Sequence, residues 1–261
     1  MTAALVLAAA GSLCFAGLSP AAEAPGRPTD APRLAEGAEY DRCLAMLRTD
    51  PEGARQFADS WEAADGGEGA RHCAALALLA LGETERAAER LEALAAQSNA
   101  AAAARAGIFA QADQAWMLAG QPSRAFAAAT MGLTLTPNDT ELLMDRAIAL
   151  GSMKRYAEAL KDLDQVLAID PRRAEALVLR AAAQRHLDRS ALAERDIAAA
   201  LAIAPDNAEA LLERGIIRQL RGETAGARAD WERVIALAPH SAAADLAQQN
   251  LALSDAGPQR R

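Results

Sequence analysis

Aromatic side chains are scarce in this 261-residue chain, at 3% of residues, and histidine and cysteine number only three each. Alanine therefore supplies much of the 52% hydrophobic content. Because alanine is the best helix former and lets helices approach closely, the composition favours thin, tightly packed helical layers. An excess of cations is missing too. The 27 Lys and Arg against 35 Asp and Glu leave a net charge of −8, which argues against the clustered basic surface of a nucleic-acid binder. The arginines are interspersed with acids, the pattern of solvated helix faces.

Catalytic chemistry finds little footing. His72, His186 and His240 fall in different segments of the chain. No His and Cys stand at zinc-ligand spacing, no glycine-rich loop follows a strand, and no strand pattern is evident. Cys73 adjoins His72, but neighbouring residues on a helix point about 100° apart and do not form a nucleophile–base pair. The sequence reads as non-enzymatic, with no cofactor, no metal and no small-molecule substrate expected.

The first two dozen residues stand apart. Ala3 to Leu18 is an apolar run, followed by Ser19, Pro20 and the small residues Ala21 to Ala24. That is short for a membrane span and suits a secretory signal peptide over residues 1–24, cut near Ala21–Ala24. No Lys or Arg precedes the run, and an uncleaved membrane anchor is the rival reading. Cys14 follows a bulky leucine, a poor lipoprotein signal, and falls in the segment to be removed. Export leaves Cys43 and Cys73, whose thirty-residue spacing suits a disulfide in an oxidising compartment or two separate buried thiols. The expected location is the periplasm.

What the chain has in abundance is periodicity. Pro137, Pro171, Pro205 and Pro239 are spaced by 34 residues. Twelve residues before them stand Ala125, Ala159, Ala193 and Ala227, and four before stand Leu133, Leu167, Leu201 and Ile235. Such a period marks a stacked array whose units cannot bury their apolar faces alone. Residues 25–36 form a Pro- and Gly-rich leader, 37–67 an atypical helical hairpin, and 68–105 a first repeat with helices at Arg71–Leu81 and Glu83–Ala96. Repeats follow at 106–139, 140–173, 174–207 and 208–241, then a capping helix at 242–253 and a disordered tail at 254–261. Asn138–Asp139, Asp206–Asn207 and Ser241 supply N-caps after the prolines. Arg146, Arg180 and Arg214 recur with Asp162, Asp196 and Asp230 sixteen residues later, whereas the preceding unit has Ala112 and Ala128 in both places. Residues that come and go in pairs point to structural ion pairs between the helices of one unit.

The segment Thr140 to Pro171, with Tyr156-Ala157-Glu158-Ala159-Leu160 and Ala168-Ile169-Asp170-Pro171, resembles a tetratricopeptide repeat. The resemblance extends over roughly Ala70 to Pro239, with Ala147, Ala181 and Gly215 at the small-residue helix crossings. Asp113 departs from that pattern, as do Gln184 and Arg218 at positions usually bulky. The resemblance implies an all-α, right-handed solenoid of antiparallel helix pairs whose first helices line a concave groove. It places Gln114 and Met117 of one unit on that groove, then Met144 and Ile148. Val178, Ala182 and Arg185 follow from the next, then Leu212, Ile216 and Gln219. The carboxylate-clamping residues of some family members are replaced here by Met144, Ile148, Val178 and Ala182.

Several of these residues are apolar and suit an apolar peptide, and each has the alternative of packing against a neighbouring helix. Glu141, Glu175 and Glu209 also recur at helix starts, as an acidic ladder for a basic ligand or as partners of the helix dipole. The expected function is a non-catalytic scaffold for a protein or peptide partner, with a homo-oligomeric envelope component as the alternative.

Overall fold

The computed structural model describes residues 34–256. The expected signal peptide, the leader up to residue 33 and the last five residues of the tail lie outside them. Among the described residues there are thirteen α-helices and no strand. They are α1 (Ala38–Met46), α2 (Pro51–Ala63), α3 (Gly67–Ala80), α4 (Thr84–Gln97), α5 (Ala102–Leu118) and α6 (Pro122–Leu135). After them come α7 (Thr140–Ser152), α8 (Tyr156–Ile169), α9 (Ala174–His186) and α10 (Ser190–Ile203). The series closes with α11 (Ala208–Leu220), α12 (Thr224–Leu237) and α13 (Ala242–Ala256).

Each helix packs on the next in sequence, and odd-numbered helices also touch one another: α1 with α3, α5 with α7, α7 with α9, α9 with α11 and α11 with α13, while a His72–Gln111 bond joins α3 to α5. Even-numbered helices make no comparable contact. The odd helices therefore form the tighter, inner row of a curved stack, and the even helices its outer row. Four apolar clusters run along the stack instead of converging on one centre.

Local chemistry starts and stops these helices. Asp50 caps α2 by accepting from Gly53 N, with Pro51 at the first helical position. Asp139 caps α7 through Glu141 N and Leu142 N, Asn207 caps α11 through Ala210 N, and Ser241 Oγ accepts from Ala244 N. The turn inside each unit uses a left-handed residue at the repeat interval: Gly120, Lys154, Asp188 and Gly222. Glycine reaches that conformation without a Cβ penalty, whereas Lys154 (φ 61°) and Asp188 (φ 58°) adopt it at a cost.

Three boundaries differ from the sequence expectation. Helix α3 starts at Gly67, ahead of Arg71. The repeat boundary expected between residues 105 and 106 falls inside α5, which starts at Ala102, and Arg105 Nε in its first turns bonds the Ala95 carbonyl. At the other end, Ser254 and Asp255, assigned to a disordered tail, are helical. Asp255 pairs with Arg228 of α12, which holds the last turn against the stack.

Candidate functional site

The paired arginines and aspartates fix the two rows to one another. Arg146 grips Asp162 through Nε (2.8 Å) and Nη2 (2.7 Å), Arg180 grips Asp196 in the same way at 2.7 Å each, and Arg214 grips Asp230 at 3.0 and 2.7 Å. These forks are bidentate, and the three carboxylates are buried. Donating hydrogen bonds to Asp196 and Asp230 holds the Arg180 and Arg214 guanidiniums above their usual pKa. Arg218, at a position usually bulky, adds a second cation to Asp230 at 2.7 Å. At the N-terminal end Cys43 and Cys73 are joined, with Cα atoms 6.2 Å apart, which ties α1 to α3.

The inner row is the face that faces inward along the whole stack. Of the ten residues expected to line it, Gln114 is exposed, and Met117, Ile148, Ala182, Ile216 and Gln219 are half-buried. Met144, Val178 and Leu212 are corrections: all three are buried, at 8–9% exposure, and belong to the apolar clusters. They share one register, a repeat apart in α7, α9 and α11, where each inner helix meets its neighbour, so burial beats exposure there. The Arg185 side chain is buried as well and bonds Glu213 of α11 at 2.5 Å.

Polar contacts that the sequence did not reveal run from helix to helix along this row. His72 of α3 bonds Tyr40 of α1 and Gln111 of α5, at 2.6 Å each, and burial lowers its pKa. Arg173 bridges Glu141 (2.6 Å) and Glu175 (3.2 Å). Glu141, Glu175 and Glu209 are all exposed, and the first two thereby share one cation. A signal for this row did exist: Gln111, Asp145 and Glu213 occupy one register, 34 or 68 residues apart, on three of the inner helices.

Asp113 and Asp145 act on one another electrostatically across the α5–α7 seam. Asp113 is 1% exposed and its Oδ1 has no hydrogen-bond partner. Burial, and next the charge of Asp145, raise its pKa to about 8. Asp145 is half-buried. Its pKa rises to about 7 through burial and then Glu141 and Asp139, against a hydrogen bond from Gln114 and the charge of Arg173.

The histidines do not converge. His72 sits in the bonded chain above, His240 is exposed after α12, and His186 stacks on Tyr156 with ring centroids 4.3 Å apart. Burial, with Arg185 and Lys154 nearby, pushes His186 down to about 4. Among the described residues no three of His, Cys, Asp and Glu group to hold a metal ion. Two depressions open on the outer row: one of about 480 Å³ between α4 and α6, floored by Phe109 and edged by Arg124 and Met131, and one of about 240 Å³ beside Arg71 and Arg90.

Residues 116–184 match the family model described as tetratricopeptide repeat. No curated protein matches the sequence significantly. Among solved structures the chain is similar to YrrB, a TPR protein with an unusual peptide-binding site, at 21% identity and TM-score 0.56, over 66% of this chain and 88% of that one. It is similar to Pseudomonas aeruginosa pilF at 16% identity and TM-score 0.60, over 81% and 96%. MamA from Desulfovibrio magneticus RS-1 aligns at 18% identity and TM-score 0.54, over 78% and 97%. Thirteen helices in two rows, a 34-residue period and these likenesses make the fold an all-α superhelix of the tetratricopeptide type, an architecture typical of protein-interaction scaffolds.

Proposed function

We propose that this chain is a non-catalytic adaptor that binds a segment of another protein along the inner row of its superhelix, in an oxidising compartment of the cell envelope. One observation carries the proposal. Gln114, Ile148, Ala182 and Ile216 recur at the repeat interval, the last three on helices locked by bidentate ion pairs, and each keeps surface open on the inward face. A face held rigid before the ligand arrives lowers the ordering cost of binding. The Cys43–Cys73 bond supports the compartment, since such a bond persists where thiols are not kept reduced.

Photo-crosslinking in the producing cell tests the binding face. A benzoylphenylalanine at Ile148 is expected to trap a discrete protein adduct, and one at outer-row Met131 is expected to trap none. Adducts from Met131 alone would overturn the proposal. Alkylation of the chain in freshly lysed cells tests the compartment: blocked Cys43 and Cys73 are expected, and freely labelled thiols would contradict it.

A second reading, self-assembly through the C-terminal end, is favoured by Leu220, Leu246 and Leu253, exposed at 57%, 38% and 64%. Light scattering separates the two. A monomer supports the adaptor, and a dimer broken by Leu246→Glu with Leu253→Glu supports self-assembly.

A further inference from the structure

Asp145 and Glu213 are equivalent residues, 68 positions apart, each on an inner helix and each facing the helix before it. Glu213 has its cation supplied by the chain: Arg185 of α9 approaches to 2.5 Å. Twenty-eight residues separate Arg185 from Glu213, and the residue 28 before Asp145 is Met117. The seam between α5 and α7 is thus built like the seam between α9 and α11, with a thioether standing where the guanidinium should be.

The same seam holds a second carboxyl, and this one is short of a hydrogen-bond partner. The register of Asp113 carries Ala147, Ala181 and Gly215 in the later units. Here alone it carries a carboxyl, buried and with Oδ1 unbonded. A buried polar group left unsatisfied costs about 1–3 kcal/mol, and native proteins keep few of them. Neither carboxyl has a cation of its own. Arg173, whose charge acts on Asp145, is already committed to Glu141, Glu175 and Thr140 Oγ1.

We propose that the α5–α7 seam is a subsite for one cationic side chain, a lysine or arginine of the bound segment, received by Asp145 and Asp113 beside Gln114 and Met117. The proposal rests on the adaptor reading above and narrows its partner to a segment with a basic anchor residue. The incoming ammonium or guanidinium supplies what Arg185 supplies two units later, and its aliphatic stem lies along Met117. Both carboxyls, whose pKa burial raises in the free chain, ionise against it. Exposed Glu209 further along the row favours a segment of positive charge.

Selection from a displayed random heptapeptide library on the immobilised full chain tests the subsite, with Asp145→Asn and Met117→Arg as comparison baits. Asp145→Asn removes the charge at constant shape, and Met117→Arg installs the missing cation from within. Thermal unfolding of both variants confirms that they fold. The expected result is enrichment of Lys- or Arg-bearing peptides on the native chain, with affinity reduced at least ten-fold on each variant. Peptides enriched without a basic residue, or basic peptides held equally well by both variants, would overturn the cation subsite and leave the adaptor reading standing. No enrichment of any peptide on the native chain would overturn both.

Discussion

The indole of Trp231 occupies the space where a side chain on residue 215 would have to go. A Cβ added to Gly215 would fall 2.7 Å from Trp231 Cδ1 and nearer still to Nε1. In the two preceding units the same register pairs Ala147 with Leu163 and Ala181 with Ile197, so the volume is divided differently between the two helices. Overpacking a filled crossing costs about 1–3 kcal/mol, and Gly215→Ala is expected to destabilise the C-terminal units by that amount. Trp231→Leu makes room, so the double variant should lose less than the sum of the singles in urea unfolding. Strictly additive losses would show that the two residues do not compete for the space.

The ion pairs lead to a second expectation. Asp196 is buried and held by both arms of Arg180, so Arg180→Ala leaves an uncompensated carboxylate inside the unit. Removing one partner of such a pair costs about 3–5 kcal/mol, whereas removing both can be far milder. Arg180→Ala should therefore be more damaging than Arg180→Ala with Asp196→Ala. Equal losses of stability would mean that the pair is not coupled.

Stability should fall as pH rises through the neutral range. In the unfolded chain Asp113 and Asp145 lose their protons near pH ~4. In the folded chain they keep them to about 8 and about 7. The folded state binds more protons between these values, so its stability drops with rising pH. The contribution is complete below the unfolded value and lost through the folded ones. Asp113→Asn is expected to flatten the profile and to stabilise the chain at pH 9. A profile unchanged by Asp113→Asn would mean that the seam does not hold that proton.

The 34-residue period, the helix pairing and the arginine–aspartate partners were all legible in the sequence, because each repeats and each depends on contacts within one unit. The inner row was less so. Met144, Val178 and Leu212 carry the right periodicity for a lining, but the spacing between adjacent inner helices decides whether a side chain lies on the face or inside the seam. Bonds such as Arg185–Glu213 and His72–Gln111 join different units, and their partners depend on how the superhelix curves. Asp113 was visible only as a departure from small residues. The opposing register position is Ala129 in its unit, against Leu163, Ile197 and Trp231 in the later ones, and that exchange of volume makes room for the carboxyl.

Reduction should loosen one end only. Helix α1 packs against α2 and α3, and the Cys43–Cys73 bond closes a loop of sequence separation 30. Loops of that size contribute about 3 kcal/mol by restricting the unfolded chain. Units of a solenoid contact only their neighbours, so a reductant is expected to remove amide protection from α1 and leave α9 and α10 unchanged. Loss of protection along the whole stack would contradict nearest-neighbour stability.

Whether a ligand runs along the inner row is read out by amide hydrogen exchange of the full chain, free and saturated with a display-selected peptide. Slower exchange is expected in α5, α7, α9 and α11, greatest near Asp145. Protection confined to α4 and α6, around the outer depression at Phe109 and Met131, would contradict the account.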